Sequence, residues 1–167
     1  MWFKKKFTVL IICKANITRS AYIAAYMEHY LKTQLPHLRK KIKITSAGVQ
    51  ARRGKQAHRV MQHAAKTNGF SLGHHLSSPL TRKTIQKSDV ILIMEEQQKE
   101  RLLSLYPQAE NKTFLLMEYL WNGDPKEVQD VPDPTGQNTD DYARFLELAH
   151  TEVDRIFREI ESQSLIQ

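Results

Sequence analysis

The one cysteine of this 167-residue chain, Cys13, closes a run of mostly apolar and β-branched residues, Phe7-Thr8-Val9-Leu10-Ile11-Ile12. Arg19 follows six residues on, and a hydroxyl, Ser20, comes directly after it. A thiol at the end of a strand, a short loop and an arginine at the start of a helix suit a tetrahedral oxyanion. The N–H groups of a loop wrapped over a helix N-terminus point at a bound anion, and the helix dipole favours negative charge there. The same field beside a guanidinium favours the thiolate, which is the nucleophilic form of cysteine. Arg19 supplies a planar fork that can hold two phosphate oxygens and the charge spread over them. Taken alone, Cys13 could equally be a small buried apolar side chain; the strand before it and the hydroxyl and helix after it tip the reading towards chemistry.

The elements that must position these residues can be read in order. Phe7 to Cys13 has the character of a strand buried on both faces of a parallel sheet. From Ser20, helix formers over Ala21 to Lys32 place Ile23, Met27, Tyr30 and Leu31 at helical spacing. A second strand is expected over Lys41 to Thr45, ending in Ser46-Ala47-Gly48, followed by a helix from Gln56 to Thr67 that stops before Asn68-Gly69. A short helix near Arg82 to Gln86 leads into the clearest buried strand, Asp89 to Met94, and then a helix from Glu96 to Leu105. Lys112 to Leu116 is a weaker fourth strand, and Asn122 to Asn138 a polar loop containing prolines. A closing helix, Asp140 to Glu161, aligns Phe145, Leu148, Ala149, Val153, Ile156 and Phe157. Alternating strands and helices predict an α/β fold of three layers, α/β/α, around a four-stranded parallel sheet. Ligands bind such sheets at the carboxyl ends of the strands, where Cys13, Ser46 and Met94 lie.

With 41% apolar residues and neither repeat nor linker, the chain is expected to form a single domain over residues 1–167. Its first residues lack the pattern of a signal peptide, and no apolar run suffices to cross a bilayer, so a cytoplasmic location without membrane insertion is expected. One cysteine excludes an internal disulfide framework, and the histidines show no ligand spacing with it, so no metal or other cofactor is expected. The net charge of +7 gathers in Lys4 to Lys6, Arg39 to Lys43 and Arg52 to Lys55. None of these clusters interleaves aromatics that would stack on bases, which argues against nucleic acid.

The segment Cys13-Lys14-Ala15-Asn16-Ile17-Thr18-Arg19-Ser20 resembles the signature of the low-molecular-weight protein tyrosine phosphatases, Cys-x-Gly-Asn-x-Cys-Arg-Ser. Ser46-Ala47-Gly48 is similar to that family's Ser-Ala-Gly after the second strand, and His75-Leu76-Ser77-Ser78 stands where His-x-Ala-Arg is usual. Asp89 to Glu95 resembles its Asp-x-Ile-x-x-Met-(Asp/Glu) strand, and Val131-Pro132-Asp133-Pro134 the Asp-Pro loop that supplies a general acid. The resemblance runs from residue 7 to the last helix. It implies a metal-independent protein-tyrosine phosphatase in which Cys13 attacks phosphorus, Arg19 binds the phosphate and Asp133 protonates the leaving oxygen and then activates water. The loop Lys14, Ala15, Asn16, Ile17 and Thr18 would cradle the anion. Ser20, otherwise a helix cap, would donate to the sulfur. Asn16, whose type tolerates left-handed backbone, would be tied down by Ser46 and a histidine: counting back from Leu80-Thr81 favours His75, and counting from Gly69 favours His74. The bacterial branch of the family, whose substrates include tyrosine kinases controlling polysaccharide export, is its expected home.

Three departures qualify the resemblance. Ala15 occupies the glycine position, where positive φ would cost the methyl roughly 1–2 kcal/mol. Thr18 replaces the second cysteine, so oxidised Cys13 has no internal thiol to resolve it. Arg52 and Thr135 stand at the substrate rim where eukaryotic relatives carry aromatics, and the basic side chain would favour acidic flanking sequence. Arsenate reduction through a cysteine relay is excluded for want of further cysteines. Phosphoarginine hydrolysis is disfavoured by Ile17, where relatives with that preference carry threonine, and by the cationic rim. The alternative from another class is a catalytically weak phosphotyrosine-binding module on the same fold. The retained cysteine and aspartate oppose it, since binding would need only the arginine and the loop amides.

Overall fold

A computed structural model of the chain describes residues 5–166. Lys4 of the first basic cluster lies outside the described residues, as do the residues before it. Strands β1 (Phe7–Cys13), β2 (Ile42–Gly48), β3 (Val90–Ile93) and β4 (Thr113–Leu115) form one parallel sheet in the order β2-β1-β3-β4. The helices are α1 (Arg19–Thr33), α2 (Arg59–Thr67), α3 (Arg82–Lys87), α4 (Glu96–Leu105) and α5 (Thr139–Ser162). The architecture is the expected three-layer α/β/α arrangement.

Strand alternation divides the core. Val9, Ile11 and Cys13 of β1, Val90 and Leu92 of β3, and Met94 just after β3 pack on one face with residues of α1, α2 and α5. Leu10, Ile12, Ile91 and Ile93 pack on the other with Ile85 of α3 and Leu102 of α4. Both faces being covered explains why these strands read as unbroken apolar runs. The chain leaves β1 to one side for β2 and returns on the other side for β3, so the carboxyl end of β1 opens at the point where strand order reverses. Crevices for ligands form at such points, and Cys13 stands there, with the loop into α1 directly after it.

Several boundaries differ from the sequence reading by one residue, and two differ by more, for tertiary reasons. Ser46, Ala47 and Gly48 continue β2 because they pair with Ile11, Ile12 and Cys13. Helix α2 begins at Arg59, not Gln56, because Gln56 bridges Leu76 and His58 is extended at the cap position.

Candidate functional site

The loop from Cys13 into α1 turns on Asn16, which is fully buried and has φ of 56°. Ala15 is not among the residues with positive φ, so the anticipated penalty for its methyl does not arise; the left-handed step falls on a residue type that tolerates it. Carbonyls of the loop turn outward to fixed partners. Cys13 O accepts from Val49 N at 3.0 Å, Lys14 O from Gln50 N at 2.9 Å and Ile17 O from His58 N at 2.8 Å. Among the described residues, no backbone N–H from 14 to 19 donates to a protein acceptor. Outward carbonyls and uncommitted amides are what an anion cradle requires.

Asn16 holds this shape through every polar atom of its side chain. Its Nδ2 donates to Ser20 Oγ at 2.8 Å and to Ser46 Oγ at 3.0 Å, while Oδ1 accepts from Ser78 N at 2.9 Å. His75, half-buried, is the supporting histidine: its Nε2 donates to the Asn16 carbonyl at 2.7 Å, and His74 is exposed. The histidine therefore fixes the main chain of Asn16, whereas the sequence reading placed it on the side chain. Gly48 allows the close approach of β2. A Cβ there would lie 2.7 Å from Lys14 O and 2.9 Å from Asn16 N.

Cys13 is buried, with Sγ 3.0 Å from Ser20 Oγ. Because Ser20 Oγ already accepts from Asn16, its proton is free for the sulfur, the other acceptor in reach being Ala47 O at 3.5 Å. Thr18, not Ser20, is the cap residue of α1, so the capping role is not the one Ser20 performs. Arg19 is 1% exposed. Its Nη1 donates to Glu95 and, at 2.8 Å, to Val131 O; its Nη2 donates to Asp133 Oδ2 at 2.9 Å. Its Nε is buried without a protein partner. A buried guanidinium is tolerable only when compensated, and here two partly exposed carboxylates provide that while one donor stays open.

The acid-bearing loop is pinned at several points. Val131 N donates to Met94 O at 2.8 Å, and Glu96 N, in the first turn of α4, to Asp130 Oδ1 at 2.8 Å. Thr135 N donates to Asp133 Oδ1 at 3.0 Å, and the hydroxyls of Thr18 and Thr135 lie 3.0 Å apart. Lys14 and Arg52 are exposed, and Ile17 is half-buried. The structure thus brings Cys13, Ser20, Asn16 and Ser46 into one hydrogen-bonded network and Arg19, Asp133, Thr135 and Thr18 into a second, the two meeting through the loop backbone. Sequence reasoning gave no role to Glu95 or Asp130; Glu95 was visible only as the acidic end of the third-strand motif. Among the described residues no cluster of three or more His, Cys, Asp or Glu could hold a metal ion, and no helix is long and apolar enough to cross a membrane.

Comparison with known proteins agrees with this geometry. Residues 8–165 match the family model described as low molecular weight phosphotyrosine protein phosphatase. A Klebsiella pneumoniae protein provisionally named a low molecular weight protein-tyrosine-phosphatase is 31% identical over 141 residues, covering 84% of this chain and 88% of the relative. The YwlE arginine phosphatase from Geobacillus stearothermophilus superposes with a TM-score of 0.82 at 26% identity, over 95% of this chain and 96% of that one. The tyrosine phosphatase Wzb from Escherichia coli K30, solved in complex with sulphate, gives 0.76 at 25% identity over 90% and 95%.

Proposed function

Since the chain belongs to the low molecular weight phosphotyrosine protein phosphatase family and is a phosphatase of the hydrolase class, we propose that it hydrolyses phosphotyrosine in proteins through a cysteinyl phosphate on Cys13. The observation that carries this is the loop itself: a run of uncommitted amides directly after a thiol at the end of β1, leading to an arginine whose Nε is buried without a protein partner. The Cys13 thiolate attacks phosphorus, the phosphorus–oxygen ester bond breaks, and Asp133 gives its proton to the departing phenolic oxygen. Water then attacks the cysteinyl phosphate and passes a proton to Asp133. The sulfur–phosphorus bond breaks, and phosphate and the thiolate are released. Lys14, Ala15, Asn16, Ile17 and Thr18 supply the cradle, with Ser46 and His75 supporting it through Asn16. The Ser20 proton eases departure of the sulfur in the second step. Binding of a phosphate dianion competes with Asp133 for Arg19 and so frees the acid as substrate arrives.

In this reading Arg52 and Thr135 form the substrate rim, and the cationic side chain suits acidic residues flanking the phosphotyrosine. A bacterial tyrosine kinase, itself phosphorylated on tyrosine, is one such partner. The similarity to an arginine phosphatase supports phosphoarginine as a second substrate class, whose cationic guanidinium would meet an unfavourable rim. The test is hydrolysis of an aryl phosphate without added metal, beside phosphotyrosine, phosphoserine and phosphoarginine peptides. Cys13→Ser is expected to abolish turnover and Asp133→Asn to lower it on the order of 100-fold, with phosphotyrosine the preferred peptide. Binding of phosphotyrosine peptide without turnover by the parent would make the protein a binding module.

A further inference from the structure

Thr18 is the cap residue of α1, yet its side chain makes no capping bond. A threonine at this position ordinarily gives its oxygen to an N–H of the first helical turn and stabilises the helix by roughly 1 kcal/mol. Here the hydroxyl, 4% exposed, turns across to Thr135 Oγ1 at 3.0 Å. The residue it meets is bonded at both ends, because Thr135 N donates to Asp133 Oδ1 at 3.0 Å. A continuous chain therefore runs from the nucleophile loop through two hydroxyls and one amide to the carboxylate whose other oxygen lies on Arg19 at 2.9 Å. Diverting the Thr18 oxygen also leaves the first amides of α1 uncapped for an anion.

We propose that Thr18 and Thr135 are positioning residues: their hydroxyl pair latches the acid loop onto the nucleophile loop and sets where Asp133 stands when it protonates the leaving group. This rests on the assignment of Asp133 as general acid. Asp133 is bound to Arg19 in the structure, and the competing phosphate must take that donor. Once Arg19 turns to the substrate, the bond from Thr135 N is what still orients the carboxylate, and the latch to Thr18 is what holds Thr135. The latch therefore matters most after substrate has bound.

The leaving group provides the readout. Phosphotyrosine departs as a poor leaving group that needs the proton of Asp133, whereas dinitrophenolate departs without one. We expect Thr135→Val to lower kcat/KM for a phosphotyrosine peptide about 5-fold more than for dinitrophenyl phosphate, the size expected for one neutral hydrogen bond. Thr18→Val should shift the same ratio equally, the double variant should shift it no further than either single change, and Thr18→Ser should restore it. Equal losses on the two substrates, additive shifts in the double variant, or failure of Ser to restore the ratio would overturn the latch. Thr135 lies on an exposed loop, so its variant tests the inference even where Thr18→Val disturbs folding. Asp133→Asn separates the two claims: if it too leaves the ratio unchanged, the acid assignment fails; if it shifts the ratio and the threonine variants do not, the latch alone fails.

Discussion

Asn16 and Gly48 show how much of the site is decided by single residues. Asn16 takes the left-handed step of the loop after Cys13 and closes three side-chain bonds while doing so, so the glycine usual one position earlier in the family is not needed for that purpose. The tolerance of Asn for this backbone could be read from its type; that the step falls there and not on Ala15 could not, because it depends on where Ser46, Ser78 and His75 arrive from distant elements. Gly48 is the complementary case. It pairs with Cys13 across the sheet, and a methyl on it would lie 2.7 Å from one loop backbone atom and 2.9 Å from another. Neither atom sits at the end of a flexible side chain, so the loop itself must move. Gly48→Ala is expected to lower stability by roughly 1–3 kcal/mol, the range for overpacking, and to reduce aryl phosphate turnover more than tenfold because the displaced atoms belong to the cradle. Denaturant midpoints and steady-state kinetics check this; a stable variant with parental turnover would mean that the loop relaxes freely.

At the scale of elements, α4 and the acid loop stabilise each other. Glu95 occupies the cap position of α4 without a side-chain capping bond, and its carboxylate is engaged by Arg19 instead. The missing cap comes from Asp130, far along the chain, whose Oδ1 receives the N–H of Glu96 at 2.8 Å. Asp130→Ala is therefore expected to lower stability by about 1 kcal/mol, as for loss of an N-cap, which corresponds to a fall in Tm of roughly 2–4 °C for a chain of this size. It should also lower turnover several-fold by loosening the segment leading to Asp133. A thermal melt and initial rates measure the two effects, and a variant that melts lower with undiminished rates would confine Asp130 to capping. Such cross-element capping marks the limit of what local pattern reveals. β1 and α4 were readable to the residue, since a β-branched apolar run and a run of helix formers each carry their own period. The start of α2 and the end of β2 were not, because pairing with Leu76 and with β1 decided them. That Arg19, six residues after Cys13, would share a site with the distant Asp133 was expected from motif and order, and the two are in contact, whereas Glu95 and Asp130 act through partners that the linear sequence does not announce.

Across the whole molecule, the helical layer on the α1 face is closed by an aromatic cluster that makes stability depend on pH. His150 of α5 accepts from or donates to Tyr22 OH at 2.9 Å and stacks on Tyr26 at 4.2 Å between ring centroids; Tyr26 OH reaches Asp154 at 3.3 Å. Burial lowers the His150 pKa from its ordinary value, with the Asp154 charge opposing only in part. Burial, helped by Asp154, pushes Tyr26 up to about 12, and burial raises Tyr22 as well. In the unfolded chain His150 takes its proton near pH 6.5; in the folded protein it does so only at lower pH. As pH falls below about 6.5 the unfolded state therefore binds more protons, and stability declines. At the alkaline end the unfolded tyrosines release protons near pH 10 while the folded ones retain them, so stability declines again above that value. The cluster thus predicts a plateau from about pH 7 to 9 with a slope on each side. Urea midpoints measured from pH 5 to 8 for the parent and for His150→Gln, which keeps a polar partner for Tyr22 without a titrating ring, test the acidic slope. The variant should be flatter than the parent below pH 6.5 and indistinguishable from it in slope above 7. Parallel curves over the whole range would show that His150 is as readily protonated in the folded protein as in the unfolded chain, and that the acid sensitivity arises elsewhere.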